Sequence, residues 1–484
     1  MKYRLMLTGT GSGCGKTTLT CGLLEALRRR GLSVQAYKCG PDYIDPLFHA
    51  QVLGRAGENL DGFFSDENEL RRILAESEAD FGLIEGAMGY YDGLGATTDI
   101  ASAYDVSRQT QTAAVLVVPA KGMSLSVCAL ISGYLRFRAD SQLRGVILNR
   151  VSAMFYPTMK RMIEDELGIA VLGYIPALDD LQWGSRHLGL LLPEEIEDLR
   201  GQIDRLADVL ETTLDIDRLI TVAAVPEEKG RPAQNEKEKA VIKESAKGRV
   251  GELKDGQPPL RIAVADDEAF CFHYRQNRRV LIQNGAELIR FSPLHDRALP
   301  AGIDGLILPG GYPELHAVAL SENQMMLESI RSRLRSGLPT LAECGGYMYL
   351  HKQLEAADGR LYPMVGFFEA AVHRQSRLQH FGYAGIDNEP TGGWQLQGSR
   401  VHEFHYYSSD AGHQAVQLSK PLTGKSWTGM YADEQVLAGF PHFFYSTDID
   451  GRPTAVAAAL LEKARAFREH RLREGCLCED RVQE

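Results

Sequence analysis

The feature that most constrains the fold is a glycine-rich loop over residues 9–18, which directly follows a short apolar segment. The loop reads Gly-Thr-Gly-Ser-Gly-Cys-Gly-Lys-Thr-Thr, and a helical pattern follows over residues 19–30. Glycines let backbone N–H groups approach phosphate oxygens, and the N-terminus of a helix adds a favourable partial charge. A strand, this loop and a helix in that order predict a nucleotide-phosphate site in a parallel α/β sheet.

Each residue of this phosphate loop has an expected role. Lys16 is expected to reach the β- and γ-phosphates, and the hydroxyl of Thr17 to hold Mg²⁺. The loop residues expected to bind ATP are Gly11, Ser12, Gly13, Cys14, Gly15, Lys16, Thr17 and Thr18. A glycine-rich turn without a nucleotide is the alternative, and the position between strand and helix disfavours it.

The spacing of the loop departs from the G-x-x-x-x-G-K-[ST] form. Position 10 is Thr, and the glycine stands one residue earlier, at Gly9. The wider loop resembles that of the dethiobiotin-synthetase-like branch of P-loop enzymes. In related P-loop folds an asparagine at the end of the fifth strand contacts the adenine base, which makes Asn149 a candidate. Capping of the following turn is the alternative role for Asn149.

Composition limits the class of protein. A chain of 484 residues is too long for one ordinary core, so two or three domains are expected. A net charge of −11 argues against a nucleic-acid surface, which needs a basic stripe. No apolar run approaches the roughly 18 residues of a membrane span, and the first residues do not form a secretory signal. The eight scattered cysteines suit a reducing cytoplasm.

Short apolar segments alternate with helical patterns over residues 1–225 and again over 259–450. This alternation predicts two α/β domains with parallel sheets. The expected strands are Leu5–Thr8, Val34–Tyr37, Gly82–Glu85, Ala114–Pro119, Gly145–Asn149, Leu260–Ala265, Glu287–Phe291, Gly305–Leu308 and Pro339–Ala342. Residues 226–258 are rich in charge and predict a flexible linker, and residues 451–484 predict a C-terminal surface helix and tail.

Carboxylates follow the second and third expected strands. Because the carboxyl ends of neighbouring parallel strands face one crevice, these side chains are expected to meet there. Asp45 and Glu85 are candidates for Mg²⁺ coordination, and Asp45 also for catalysis. Asp42, Tyr43 and Asp92 are candidates for positioning an acceptor substrate. For each residue taken alone, a solvated loop position stays open as the alternative.

A second chemical centre is predicted around Cys344. The cysteine follows the apolar segment Leu338–Ala342 and precedes two glycines, which permit a sharp turn onto a helix N-terminus. That position lowers the pKa of a thiol and favours a nucleophile over a buried, inert cysteine. Backbone N–H groups of Gly310, Gly311 and Gly345 are candidates for an oxyanion hole.

A thiol nucleophile needs a base. His442 is the expected base, and His402 and His405 are its competitors. A zinc site made of His402, His405 and Cys344 is a weaker alternative, because no second close ligand pair accompanies it.

In this order, the motifs resemble those of the cobyrinic acid a,c-diamide synthase family, and the resemblance covers almost the whole chain. The matching stretches are Gly9–Thr18, Lys38–Pro46, His49, Asn59–Asp61, Met88–Gly93, Ser185–Leu190, Ala269–Tyr274, Phe291–Pro293, Gly310–Glu314, Ala342–Leu350, Arg377–Tyr383 and His402–Tyr406. The resemblance implies an N-terminal P-loop synthetase domain and a C-terminal class I glutamine amidotransferase domain.

The implied reaction is a ligase reaction that uses ATP and L-glutamine to amidate two carboxylates of a corrin. A γ-glutamyl thioester on Cys344 would release ammonia, and ammonia would attack an acyl phosphate made with ATP. Hydrogenobyrinic acid and nickel-sirohydrochlorin stay open as substrates, and a homodimer is compatible with the resemblance. A P-loop ATPase switch with a degenerate glutaminase domain is the rival of another class.

One departure from the family concerns the base. The family usually has His-x-His here, and the second position of this chain is Phe444. Many amidotransferases of this class place an acid two residues after the base, a role that a phenyl ring cannot fill. Glu403 is a candidate for orienting His442, and the sequence leaves the identity of the orienting group open.

Overall fold

The computed structural model of the protein describes residues 1–178, 181, 183, 185–186, 189–225, 258–412, 415–446, 453 and 455–480. Except for residue 258, the segment predicted as a linker lies outside the described residues, as do residues 481–484. By internal contacts the chain divides into two compact units, Met1–Lys237 and Glu238–Glu484.

The first unit is built on one sheet of seven strands, whose pairs are all parallel. The strands are β1 (Tyr3–Gly9), β2 (Val34–Cys39), β3 (Glu58–Leu60), β4 (Phe81–Glu85), β5 (Ala113–Pro119), β6 (Leu143–Asn149) and β7 (Ala170–Ile175). Their order is β3-β2-β4-β1-β5-β6-β7. A two-stranded hairpin of β8 (Ser185–Arg186) and β9 (Gly189–Leu190) follows.

Helices cover this sheet and complete its core. They are α1 (Lys16–Arg29), α2 (Ile44–Leu53), α3 (Glu67–Ala75), α4 (Ala103–Gln109), α5 (Ser126–Arg136), α6 (Tyr156–Leu167), α7 (Leu199–Thr213) and α8 (Ile216–Val222). Strands β2 and β4 are buried along their whole length, which is typical of a parallel sheet covered on both faces. The parallel α/β architecture expected for this half is confirmed.

Within its described residues, the second unit has thirteen strands. They are β10 (Leu260–Ala265), β11 (Ala286–Phe291), β12 (Gly305–Leu308), β13 (Thr340–Glu343), β14 (His351–Glu355), β15 (Leu361–Pro363), β16 (Phe368–Ile386), β17 (Arg400–Ser409), β18 (Val416–Ser419), β19 (Ser426–Gly429), β20 (Tyr431–Ala432), β21 (Val436–Gly439) and β22 (His442–Phe443). One sheet has the order β11-β10-β12-β13-β21-β20 and is parallel except for β20. A mainly antiparallel sheet with the path β15-β14-β16-β17-β22 lies beside it, with β18 paired to β16 and β19 to β18.

The helices of the second unit are α9 (Arg275–Gln283), α10 (Ala317–Glu322), α11 (Gln324–Arg335), α12 (Gly345–Tyr349) and α13 (Ala455–Asp480). A C-terminal helix is present as α13, and one of its faces packs against the sheet while other positions are exposed. Leu460 and Leu461 are almost fully buried. Arg468 Nε donates to Asp304 Oδ2 at 3.0 Å, and Arg471 Nη2 donates to Asp304 Oδ1 at 2.8 Å.

Candidate active sites

The phosphate loop joins β1 to α1, as the sequence predicts. Gly15 has a φ of 91°, and a Cβ on it would lie 2.5 Å from Nδ2 of Asn149, so only glycine fits. The ammonium group of Lys16 donates to the carbonyl of Gly11 at 2.9 Å and to the carbonyl of Met88 at 2.6 Å. The ammonium group of Lys16 therefore lies between its own loop and the loop that follows β4.

Two polar side chains from other elements support the loop. Asn149, at the end of β6, donates from Nδ2 to the carbonyl of Cys14 at 2.8 Å. The hydroxyl of Tyr134, on α5, donates to the carbonyl of Thr10 at 2.8 Å. Tyr134 was not foreseen, because nothing in the pattern of α5 shows which tyrosine reaches the loop. The structure thus gives Asn149 a contact with the loop itself.

The carboxylates expected at the strand ends do meet, around the buried ammonium group of Lys38. Thr17 Oγ1 donates to Glu85 Oε1 at 2.7 Å, and Lys38 Nζ donates to the same oxygen at 3.0 Å. Lys38 also forms a short ion pair with Asp45. The other oxygen of Glu85 lies 2.8 Å from Nε2 of His49. Lys38 and His49 are members of this cluster that were not assigned roles from the sequence.

The charged groups of this cluster shift the pKa values of their neighbours. Burial alone would lower the pKa of Lys38, but Asp45, Glu85 and Asp42 outweigh it and raise the pKa well above its usual value. Burial alone would raise the pKa of Glu85, but Lys38 and His49 outweigh it and lower the pKa. For Asp45, burial and the neighbouring carboxylates raise the pKa against the opposing effect of Lys38. Of these two buried carboxylates, Asp45 is therefore the one for which an added cation would favour ionisation most.

The donor set at these strand ends fits Mg²⁺. It combines the hydroxyl of Thr17 with the carboxylates of Asp45 and Glu85, which are the hard oxygen ligands that Mg²⁺ prefers. Within the described ranges, however, no three His, Cys, Asp or Glu residues are arranged to hold a metal by themselves. A metal here needs further ligands, and phosphate oxygens of a nucleotide on the loop are the natural source.

The residues expected to position an acceptor also shape the backbone. Asp42 Oδ1 accepts hydrogen bonds from the backbone N–H groups of Ile44 at 2.8 Å and Asp45 at 3.1 Å, at the start of α2. Tyr43 precedes that helix. Asp92 Oδ2 accepts from the backbone N–H of Gly89 at 2.8 Å. These side chains lie on the loops after β2 and β4, the strands that also carry Lys38 and Glu85.

The thiol centre lies on the sharp turn between β13 and α12. Cys344 has φ 45° and ψ −103°, a strained backbone conformation for a residue with a side chain. Its N–H donates to the carbonyl of Gly439 at 2.7 Å, which fixes the turn. A Cβ on Gly346 would lie 2.0 Å from the carbonyl oxygen of Leu308, so glycine is required there for packing.

The glycine loop after β12 lies against this turn. A Cβ on Gly310 would lie 2.4 Å from Cε1 of His442, and a Cβ on Gly345 would lie 3.0 Å from the backbone nitrogen of Gly311. The structure therefore brings the three expected oxyanion-hole residues together with the cysteine and the histidine. Their backbone N–H groups are of the kind that stabilise an oxyanion.

His442 is the histidine paired with the thiol. It is buried on β22 and hydrogen-bonds Cys344. Burial alone would lower its pKa, but Cys344 and Glu343 outweigh burial and raise the pKa to about 10. The neighbouring sulfur and carboxylate therefore favour the protonated imidazole against the effect of burial.

The competing histidines have other environments. His402 pairs with His442 across β17 and β22, and burial followed by the charge of His442 lowers its pKa to about 3, which makes it a poor base. His405 has Nδ1 2.8 Å from the carbonyl oxygen of Tyr407 and Nε2 3.0 Å from Glu403 Oε2. Glu403 thus lies against His405, and the orienting role suggested for it toward His442 is not supported by the geometry.

A phosphate loop on one α/β unit and a cysteine–histidine pair on a second α/β unit define a nucleotide-using glutamine amidotransferase. The comparisons agree with both halves. The CobQ/CobB/MinD/ParA nucleotide binding domain matches residues 5–191, and the CobB/CobQ-like glutamine amidotransferase domain matches residues 261–448. Among the helices of the described ranges, none has the length and apolar character needed to cross a membrane.

Several curated proteins are similar over nearly the whole chain. The cobyrinate a,c-diamide synthase of Caldanaerobacter subterraneus is 38% identical over 92% of this chain and 96% of its own length. Proteins of the same name from Priestia megaterium (35% identical, 97% of this chain, 98% of its own) and Thermoplasma volcanium (39%, 92% and 95%) are similar in the same way. The chain therefore belongs to the cobyrinate a,c-diamide synthase family and is a ligase of the glutamine amidotransferase kind.

Proposed function

We propose that this protein amidates the a and c side-chain carboxylates of cobyrinate, with ATP as energy source and L-glutamine as nitrogen donor. The observation that carries the proposal is the full-length similarity to the curated synthases, together with the assembled centres around Lys16 and Cys344. Each centre would carry out one part of the reaction. The residues around Lys16 suit phosphoryl transfer, and those around Cys344 suit thiol chemistry.

The thiol centre would release ammonia from glutamine. The thiolate of Cys344 attacks the carboxamide carbon, and backbone N–H groups of Gly311 and Gly345 stabilise the oxyanion. The imidazolium of His442 donates a proton to the leaving nitrogen as the C–N bond breaks, which leaves a γ-glutamyl thioester. Water, deprotonated by the now neutral His442, then breaks the thioester and releases glutamate.

The strand-end cluster would activate the acceptor. A substrate carboxylate oxygen would attack the γ-phosphorus of ATP, the bond from this phosphorus to the β,γ-bridging oxygen would break, and ADP would leave. Ammonia would then attack the carbonyl carbon of the acyl phosphate and displace phosphate to give the amide. Lys16 would turn from its present carbonyl partners to the transferred phosphoryl group and stabilise its charge. Thr17, Asp45 and Glu85 would hold Mg²⁺, which supplies charge neutralisation at the phosphates. Asn149 would lie beside the bound nucleotide.

The acceptor would bind beside these residues. Asp42, Tyr43 and Asp92 are proposed to contribute to its site, because their loops leave the same strand ends as Lys38 and Glu85. We place the reaction in the cytoplasm, where reduced thiols persist. The six cysteines in the described ranges whose state is assigned, Cys344 among them, are all free. A homodimer would be compatible with the proposal.

Replacing Cys344 by alanine tests the division of labour. The variant should lose glutamine-dependent amidation and glutamate release by at least about 100-fold and keep amidation from free ammonia, because the strand-end cluster is untouched. Lys16→Ala should lose amidation from either nitrogen source.

Product mass spectrometry with cobyrinate, hydrogenobyrinate and nickel-sirohydrochlorin identifies the acceptor. ATP turnover without any acceptor and no glutamate release in the wild type would instead favour the ATPase switch.

A further inference from the structure

A second acidic side chain touches the thiol centre, and it comes from the residue just before the nucleophile. Glu343 ends β13 and is only 5% exposed. Its Oε1 accepts a hydrogen bond from the backbone N–H of Phe443 at 3.3 Å. Its Oε2 lies 3.8 Å from Nδ1 of His442, at ion-pair distance. One carboxylate therefore contacts both the imidazole ring and the backbone of the next residue.

The strained turn explains how two consecutive residues reach the same histidine. Successive side chains of a regular strand point to opposite faces, so Glu343 and Cys344 would ordinarily diverge. With φ 45° and ψ −103° at Cys344, the chain leaves strand geometry at this residue. Both side chains then converge on His442, the carboxylate at Nδ1 and the thiol by a hydrogen bond to the ring.

Because Glu343 is buried, its carboxylate also needs a compensating partner. An ionised carboxylate out of water is costly unless a positive charge or hydrogen bonds compensate it. Among the described residues, the ion pair found for Glu343 is the one with His442. Phe444, two residues after His442, has no charge to offer, and its ring packs edge-on against Tyr274 with centroids 5.2 Å apart.

We propose that Glu343 is the positioning residue of the thiol centre. Its carboxylate holds the imidazole of His442 with Nδ1–H directed toward Oε2, stabilises the imidazolium, and leaves the other ring nitrogen for the sulfur of Cys344. This proposal rests on the proposed glutamine hydrolysis and adds to it the group that orients the base.

The other charged groups around His442 do not replace this carboxylate. On β17, His402 lies in register with His442 and is neutral, since burial lowers its pKa to about 3. After β22, Tyr445 is buried, and burial with the charge of Glu343 raises its pKa well above the usual range, so it is neutral too. Among the described residues, the interactions that raise the pKa of His442 come from Cys344 and Glu343.

The test is Glu343→Gln in the full chain, a change that keeps the size of the side chain and removes its charge. We expect kcat for glutamine hydrolysis to fall roughly 100-fold, with KM for glutamine within about twofold, because orientation and proton transfer are affected rather than binding. In the plot of kcat for glutamine hydrolysis against pH, the alkaline limb should move to lower pH by about one unit. Without the nearby anion, the imidazolium loses its proton at a lower pH. Ammonia-dependent amidation reports that the chain is folded.

Two further variants complete the test. Glu343→Asp keeps the charge and should restore part of kcat and most of the position of the alkaline limb. Glu403→Gln removes a buried carboxylate from His405 and should leave the alkaline limb where it is. An unmoved limb in Glu343→Gln with kcat within threefold of wild type would overturn the proposal. Equal loss of glutamine- and ammonia-dependent synthesis would also overturn it, in favour of a structural role.

Failure of this inference can be told apart from failure of the proposed function. A wild-type chain that releases no glutamate from glutamine in the presence of ATP and acceptor would refute glutamine hydrolysis itself. A wild type that does release glutamate, with Glu343→Gln behaving like it at every pH, would refute the role of Glu343 alone.

Discussion

Replacing Lys38 by methionine should destabilise the first unit more than most single substitutions. Lys38 Nζ lies 3.0 Å from Glu85 Oε1, and the side chain of Glu85 is fully buried. Two unit charges at that distance attract by about 5 kcal/mol at an effective dielectric constant near 20. Methionine fills a similar volume but leaves the carboxylates of Glu85 and Asp45 without their ammonium partner. Breaking a buried pair in this way costs about 3–5 kcal/mol at pH 7.

The pH dependence follows from the direction of the pKa of Glu85. In the wild type, Lys38 and His49 outweigh burial and lower this pKa, so the carboxylate adds stability above the ordinary value of about 4.3, and that stability is lost only as the pH falls further. Without Lys38, the pKa of Asp45, which burial and the neighbouring carboxylates raise against the opposing effect of Lys38, rises further, and the variant loses additional stability as the pH rises. The difference between wild type and Lys38→Met should therefore shrink from pH 7 to pH 4.5.

Urea unfolding at both pH values measures this difference, with hydrogen exchange of peptides from β2 and β4 reporting on the first unit alone. Lys2→Met is the matched control, because Lys2 Nζ lies 3.9 Å from Asp80 with 78% of its side chain exposed. An exposed pair of this kind contributes less than about 1 kcal/mol. A Lys38→Met cost below about 1 kcal/mol at pH 7, or one that grows toward pH 4.5, would refute the reasoning.

Two further predictions concern packing and the phosphate loop. Gly346→Ala places a Cβ 2.0 Å from the carbonyl oxygen of Leu308, so we expect a loss of about 1–3 kcal/mol of stability and most glutamine hydrolysis, measured by thermal unfolding and glutamate release. Unchanged hydrolysis would contradict this. Tyr134→Phe removes the 2.8 Å hydrogen bond to the carbonyl of Thr10, so KM for ATP in ammonia-dependent amidation should rise several-fold, by roughly 1 kcal/mol of binding. An unchanged KM would show that the loop does not need this contact.

The sequence predicts the parts of the fold that follow from local patterns. Strands β10 (Leu260–Ala265) and β12 (Gly305–Leu308) have the predicted bounds, because each is a short apolar run next to turn residues. The phosphate loop is equally local, since its glycines and Lys16 act within a few residues of one another. Strand β3 (Glu58–Leu60) was missed because three residues with two polar side chains carry no strand pattern.

The antiparallel sheet of the second unit could not be predicted in the same way. Strand β16 (Phe368–Ile386) is nineteen residues long, yet its exposed and half-buried positions do not alternate regularly, and its pairing with β17 is interrupted by shifts of register. A strand stabilised mainly by its neighbour leaves a weak signal in its own sequence. The motif His402–Tyr406 lies on β17, the partner of this strand. The sequence therefore identifies the motif but does not show which of its histidines, His402 or His405, is the better candidate for the base.

The roles of Lys38 and Glu343 depend on contacts that no spacing rule expresses. Lys38 lies seven residues from Asp45 and forty-seven from Glu85 in the chain, and only the parallel pairing of β2 with β4 joins all three. Glu343 was overlooked because a residue beside the nucleophile on a strand should point away from it. In both cases a buried basic side chain lies against carboxylates: the ammonium group of Lys38 against Asp45 and Glu85, and the imidazole of His442 against Glu343. The partners of each buried basic group lie within its own unit. Substitutions at one centre are therefore expected to leave the chemistry of the other intact.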